Sequence, residues 1–142
     1  RTIDEIASNA FKKIRQENRN FMDEQNASLA DTGKKRTPRK LMEFAAEISK
    51  NEYDSGYMLQ AEQELLLYST KNEQLRAENK EHVTKGCAVF DDFLRECGYK
   101  NPNGLLIHAF WSGYEKSALE MPEIYDFSDV ADQAMQIIKT FK

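Results

Sequence analysis

The sequence predicts an all-α fold of about five helices, in which a long central helix of coiled-coil character (about residues 57–97) packs with N- and C-terminal amphipathic helices. Apolar residues recur at spacings of three and four along most of the chain, which is the helical period. Only 6 Gly and 3 Pro interrupt the 142 residues. No second segment offers a partner for the one stretch that could form a strand. Together these observations favour helices throughout.

Length and composition bound the class of protein. A chain of 142 residues is one ordinary domain, so residues 1–142 are expected to form a single helical domain. Charged residues make up 31% and hydrophobic residues 40%, which excludes collagen-like and low-complexity chains. No apolar run approaches the roughly 18–20 residues of a membrane span, so no membrane association is expected. The net charge of −4 is too small to mark a nucleic-acid coat protein.

The first helix has a clear start. Thr2 is followed three residues later by Glu5, the pattern of a capping box. An apolar stripe then predicts an amphipathic helix of about 22–25 residues. Its members are Ile3, Ala7, Ala10, Ile14 and Phe21.

A polar, basic segment over residues 26–40 reads as a linker between the first and second helices, since it contains Gly33 and Pro38. Thr37 before Pro38 fits an N-cap followed by proline at the first helical position. The hexapeptide 51–56 either breaks the second helix or leaves it continuous with a bend.

The central segment carries a heptad pattern. Seven residues alternate spacings of three and four from residue 58 to residue 79, and the alternation continues to Cys97. Gly86 is the weak point of this helix. If the helix continues through it, residues 57–97 form one rod about 60 Å long. Gly98 then closes the rod as a left-handed C-terminal residue.

The C-terminal part is the most apolar. Residues 105–119 predict a helix that contains the only tryptophan, although residues 105–111 are also short and apolar enough for a buried strand. Met121-Pro122 ends this element. A last amphipathic helix follows over residues 130–141.

The heptad seam is the most informative functional feature. Asparagines at core positions of a coiled coil fix its register and oligomeric state, so this seam predicts self-association or pairing with another protein. The alternatives are packing against the chain's own helices and a solvated protruding helix. Trp111 and Tyr114 are added to the interface as aromatics that are partly exposed, although such a cluster also suits a core. The expected interface is therefore Met58, Leu65, Tyr68, Asn72, Leu75, Asn79, Trp111 and Tyr114.

Five cations in seven residues form the basic segment, namely Lys34, Lys35, Arg36, Arg39 and Lys40. Such a run can contact phosphates of a nucleic acid. No aromatic residue is interleaved to stack on bases, and residues 41–82 carry 9 acids against 4 bases. A solvated linker explains the same charges.

Catalytic and metal-binding patterns are missing from the sequence. His82 and His108 lie in different segments, and neither belongs to a zinc-type spacing. Cys87 and Cys97 are ten residues apart in one expected helix, too far apart for a disulfide, and reduced thiols suit the cytoplasm. We therefore expect no catalytic residues, no metal and no cofactor.

The function that these patterns favour is a non-enzymatic protein–protein interaction or regulatory role, with self-association through the central helix. A small helical chain rich in lysine and asparagine is compatible with a bacterial or bacteriophage accessory protein. The alternative is a small nucleic-acid-binding regulatory protein that uses residues 34–40.

Overall fold

The computed structural model describes residues 2–142 and confirms the all-α class. Six α-helices in this range pack as a globular bundle, and a short 3₁₀ helix, Lys139–Phe141, ends it. None of these helices is both long enough and apolar enough to cross a membrane. The helices are α1 (Ile3–Asp31), α2 (Pro38–Asp54), α3 (Met58–Ser69), α4 (Glu73–Glu96), α5 (Gly104–Glu120) and α6 (Val130–Ile138).

The capping box at the start of α1 is confirmed, because the Thr2 and Glu5 side chains each accept the other's backbone N–H. The helix is longer than the sequence pattern indicated, so residues 26–31, which were assigned to the linker, are helical. It ends where Gly33 adopts a φ of 70°. The N–H groups of Gly33 and Lys34 then donate to carbonyls of the last turn. Thr37 caps α2, with Pro38 at its first position.

The prediction of one continuous helix over residues 57–97 is wrong. Helix α3 ends at Ser69, and α4 begins anew at Glu73. Asn72 is the N-cap between them, because its Oδ1 accepts the Leu75 N–H at 2.9 Å. Its Nδ2 donates to Asp4 Oδ2 at 2.6 Å. Asparagine is strongly favoured at N-caps, where its amide satisfies a free N–H, so a residue that fits a heptad core serves here to start a helix.

Local hydrogen bonds and glycine conformations define the other helix boundaries that the sequence leaves undecided. Helix α2 runs to Asp54 and stops at Ser55, whose hydroxyl accepts the Met58 N–H at 2.9 Å. Helix α4 continues through Gly86 and ends before Gly98, which has a φ of 97°. Residues 105–111 belong to a helix, α5.

The apolar core lies where α2, α4, α5 and α6 meet, with α3 closing one side. Its most completely buried large side chains are Leu59, Leu94, Val130 and Ile138. Helix α6 contributes five residues to the core, which confirms the predicted C-terminal amphipathic helix.

Helices α4 and α5 approach closely at one glycine. The Gly104 N–H donates to Asp91 Oδ1 at 2.7 Å. A Cβ atom at this position would lie 2.9 Å from that oxygen and 3.0 Å from the Cys87 carbonyl oxygen. Only glycine therefore allows the two helices to meet at this separation.

Candidate functional site

A cavity of about 330 Å³ opens between α1, α3, α4 and α5, with α2 behind it. Its volume lies near the lower end of the range for small-molecule pockets, about 300–1,000 Å³. Aromatic and aliphatic side chains form most of its wall, a composition typical of sites for organic ligands. The main apolar members are Phe11, Ile14, Leu66, Phe90, Ile107 and Trp111.

A hydrogen-bonded chain of side chains links α2 and α5 at the cavity. Trp111 Nε1 donates to Ser49 Oγ at 2.9 Å, and the Ser49 hydroxyl donates to Glu115 Oε2 at 2.9 Å. Ser49 is buried in α2, while Trp111 and Glu115 lie on one face of α5. The chain fixes the orientation of the indole ring and of one carboxylate.

Two further carboxyls, those of Glu52 and Glu62, complete an acidic cluster with Glu115. Glu52 in α2 is 7% exposed, and its Oε1 accepts from Asn18 Nδ2 at 3.4 Å. Glu62 Oε2 is buried without a hydrogen-bond partner among residues 2–142. A bare carboxylate in such a place is costly, so a proton held between Glu62 and Glu52 stabilises the empty cavity.

The surroundings favour the uncharged forms of these acids. Burial raises the pKa of Glu62 to about 9, and the hydrogen bond that protonated Glu62 donates to Glu52 and the negative charge of Glu52 act in the same direction. Burial also raises the pKa of Glu115 to about 7, against the opposing effect of its hydrogen bond from Ser49. Carboxyl groups perturbed in this way cluster at functional sites more often than elsewhere.

The charge of Arg15 lowers the pKa of Glu62, but burial outweighs this effect. Arg15 donates a hydrogen bond to Asn79 Oδ1, and burial lowers its pKa. Burial lowers the pKa of His82 to about 4, and the charge of Arg15 adds to this effect. Burial lowers the pKa of His108 as well, so both imidazoles are uncharged at neutral pH. No ion pair within residues 2–142 includes Glu52, Glu62 or Glu115.

The expected interface residues separate into different environments. Leu75 is 2% and Tyr114 is 6% exposed, so neither is accessible to a partner in this fold. The Tyr114 hydroxyl donates to the Asp126 carbonyl at 2.6 Å within the core. Trp111 and Asn79 line the cavity, and Tyr68 is exposed. Met58, Leu65 and Asn72 are half-buried, and their place in an interface stays a prediction.

The basic segment is partly occupied by contacts within the chain. Arg39 forms an ion pair with Asp132 at 2.6 Å, and Lys40 forms one with Glu43 at 3.2 Å. The Arg36 guanidinium lies 4.2 Å from the centre of the Phe93 ring. Lys34 and Lys35 are exposed. Only part of the five-cation run is therefore presented to solvent.

The acidic cluster was missed by sequence reasoning, although a signal exists. Ser49 and Glu52 continue the inward spacing of Ala45 along α2, and Glu62 lies three residues after the buried Leu59. Polar residues at the positions of an apolar stripe indicate a polar site inside a helical bundle. Which helices supply its other members depends on tertiary packing.

A metal ion does not suit this arrangement, since no group of three His, Cys, Asp or Glu side chains in residues 2–142 is placed to hold one. Comparison of the chain with protein-family models, with curated proteins and with solved structures finds no match.

Proposed function

We propose that the protein is a non-enzymatic, regulatory binding protein whose cavity takes a small organic ligand with an apolar body. The observation that carries this proposal is the open cavity of about 330 Å³, in which an aromatic and aliphatic wall surrounds a few converging polar groups. This combination is the usual form of a small-molecule site. On this proposal, ligand binding is the signal that regulates the protein.

The chemistry of the cavity supports binding more than catalysis. Burial raises the pKa of the Cys87 thiol, and the charge of Asp91 adds to this effect, so the thiol is a poor nucleophile. Ser49 lies outside the cavity wall, and its buried hydroxyl, which donates to Glu115 and accepts from the indole N–H, is not presented to a substrate there.

A cavity-filling variant tests the proposal. Gly86 lines the cavity in the middle of α4, and a Cβ there meets nothing within 4 Å. We expect Gly86→Leu to abolish ligand binding while the helix gains stability, because leucine has a higher helix propensity than glycine. Binding of phenylalkyl alcohols and phenylalkyl amines is measured by Trp111 fluorescence and by calorimetry.

Gly113→Leu is the matched control for this variant. Gly113 is also an exposed helical glycine with open space around it, but it lies outside the cavity wall. The Gly113→Leu protein should bind the ligand as the wild type does. Unchanged binding by Gly86→Leu would place the ligand elsewhere and refute the proposal.

Self-association is a second candidate, and exposed apolar side chains of α1 and α3 favour it. The Tyr68 hydroxyl bonds to Asp4 and so brings the end of α3 beside the start of α1. Ile3, Ile6 and Leu67 are exposed in these two segments. Sedimentation equilibrium of the wild type and of Leu67→Glu tests this candidate, and a wild type that stays monomeric at high micromolar concentration eliminates it.

Nucleic-acid binding through the basic segment is expected to be undetectable at physiological salt. Arg36, Arg39 and Lys40 already contact side chains of this chain, and two of these contacts are with acids. A salt titration with duplex and single-stranded probes measures any binding. Sub-micromolar affinity, with a salt slope that flattens when all five cations are neutralised, would contradict this expectation.

A further inference from the structure

Building on the proposed function, we infer that the ligand is an organic amine, whose apolar body fills the cavity and whose ammonium group lies against the carboxyls of Glu62 and Glu115. The inference concerns the chemical class of the ligand. It depends on three features of the cavity: its charge, its unpartnered oxygen and its aromatic wall.

The negative charge that the cavity gains when its carboxyls ionise favours a cation. Three carboxyls face or adjoin it, against one guanidinium, that of Arg15. Arg15 bonds to Asn79 and forms no ion pair with Glu62 or Glu115. Because a metal ion finds no ligand set here, an organic cation is the occupant that matches the charge.

The unpartnered oxygen favours a hydrogen-bond donor. Glu62 Oε2 is buried, and the hydrogen bond that Glu62 shares with Glu52 requires a proton, so an ionised Glu62 has no donor on this oxygen among residues 2–142. An ammonium group carries three donors and no acceptor, so it can donate to an ionised Glu62 and still serve another acceptor of the cavity. Hydrogen bonds between two charged groups are about twice as strong as neutral ones. An alcohol of the same shape provides a single donor and no charge.

The wall of the cavity favours an apolar body next to the ammonium group. Trp111 and Phe11 present aromatic rings to the same space as the acidic cluster. Aromatic faces attract cations as well as apolar groups. The hydrogen bond from Trp111 to Ser49 holds the indole in place before a ligand arrives, so little side-chain order is lost on binding.

Binding of an amine should release protons. Glu62 holds a proton in the empty cavity at neutral pH and Glu115 is partly protonated, and a cation beside them favours their charged forms. The titratable groups that face this position come from all five helices around it. They are Arg15 of α1, Glu52 of α2, Glu62 of α3, His82 and Cys87 of α4, and His108 and Glu115 of α5.

The test compares 4-phenylbutylamine with 4-phenylbutan-1-ol, a neutral molecule of the same length, by isothermal titration calorimetry at pH 7. Two buffers of different ionisation enthalpy report the protons released. We expect the amine to bind at least about tenfold more tightly than the alcohol and to release about one proton. This comparison of the two affinities needs only the wild-type protein.

Two variants test whether Glu62 causes the preference for the amine and the proton release. Glu62→Gln should remove both the preference for the amine and most of the proton release, whereas Glu64→Gln, an exposed position on the same helix, should retain both. Equal affinities for amine and alcohol, both abolished by Gly86→Leu, would overturn the amine inference and leave the proposed function standing. No binding of either molecule would overturn both.

Discussion

Leu75→Glu is expected to destabilise the folded chain by about 3–5 kcal/mol, because it removes a buried leucine and places a carboxylate in an enclosed position. Leu75 is 2% exposed at the first turn of α4, packed against α1. Its surroundings are already acidic. Asp4 and Glu78 lie beside it, and each accepts a hydrogen bond from a neighbouring side chain.

Urea denaturation followed by circular dichroism at pH 7 measures this loss. Val89→Glu is the control, because Val89 lies on the same helix and is 67% exposed. That change should stay within about 0.5 kcal/mol of the wild type. A Leu75→Glu protein as stable as the wild type would show that this side chain is not enclosed by its own chain, and would return it to an intermolecular interface.

Glu62→Gln is expected to stabilise the fold at alkaline pH by about 2–4 kcal/mol and to have little effect at pH 4. The pKa of Glu62 rises from an ordinary 4.5 to about 9 in the folded chain. The unfolded chain therefore loses this proton first, and the stability of the wild type falls as pH rises between these two values. Glutamine keeps the shape without the titration, and its amide can donate to Glu52.

Denaturation of the wild type, Glu62→Gln and Glu64→Gln at pH 4 and pH 8 checks the sign of this effect. The stabilities of the wild type and Glu62→Gln should diverge only at the higher pH, while Glu64→Gln follows the wild type throughout. A difference of the same size at both pH values would mean that packing, and not the ionisation of Glu62, separates them.

Sequence patterns predicted the helix ends best where a single residue has a specific backbone role. Thr2, Pro38 and Gly98 stand where the capping rules placed them. The heptad pattern misled because a spacing of three and four describes any amphipathic helix. It does not distinguish Asn72 in a coiled-coil core from Asn72 at the start of a new helix, and here the hydrogen bond to Asp4 favours the second.

The candidate site was beyond reach of the sequence for a different reason. Ser49, Glu62 and Glu115 belong to three helices, and no local spacing relates them. Within its own helix, none of these three residues belongs to a pattern that predicts a site. Only the packing of the bundle brings the three together and removes the water that would otherwise solvate two carboxyls.

The contact of α5 with α4 at Gly104 has a consequence for how wide the cavity can open. Gly104 and Cys87 both belong to the cavity wall, at the point where the two helices touch. A single methyl group at position 104 would push the two helices apart, because the Cys87 backbone and the Asp91 side chain already occupy the space it needs. Glycine at position 104 therefore sets the distance between α4 and α5 at the cavity wall, and with it the width of the cavity at the start of α5.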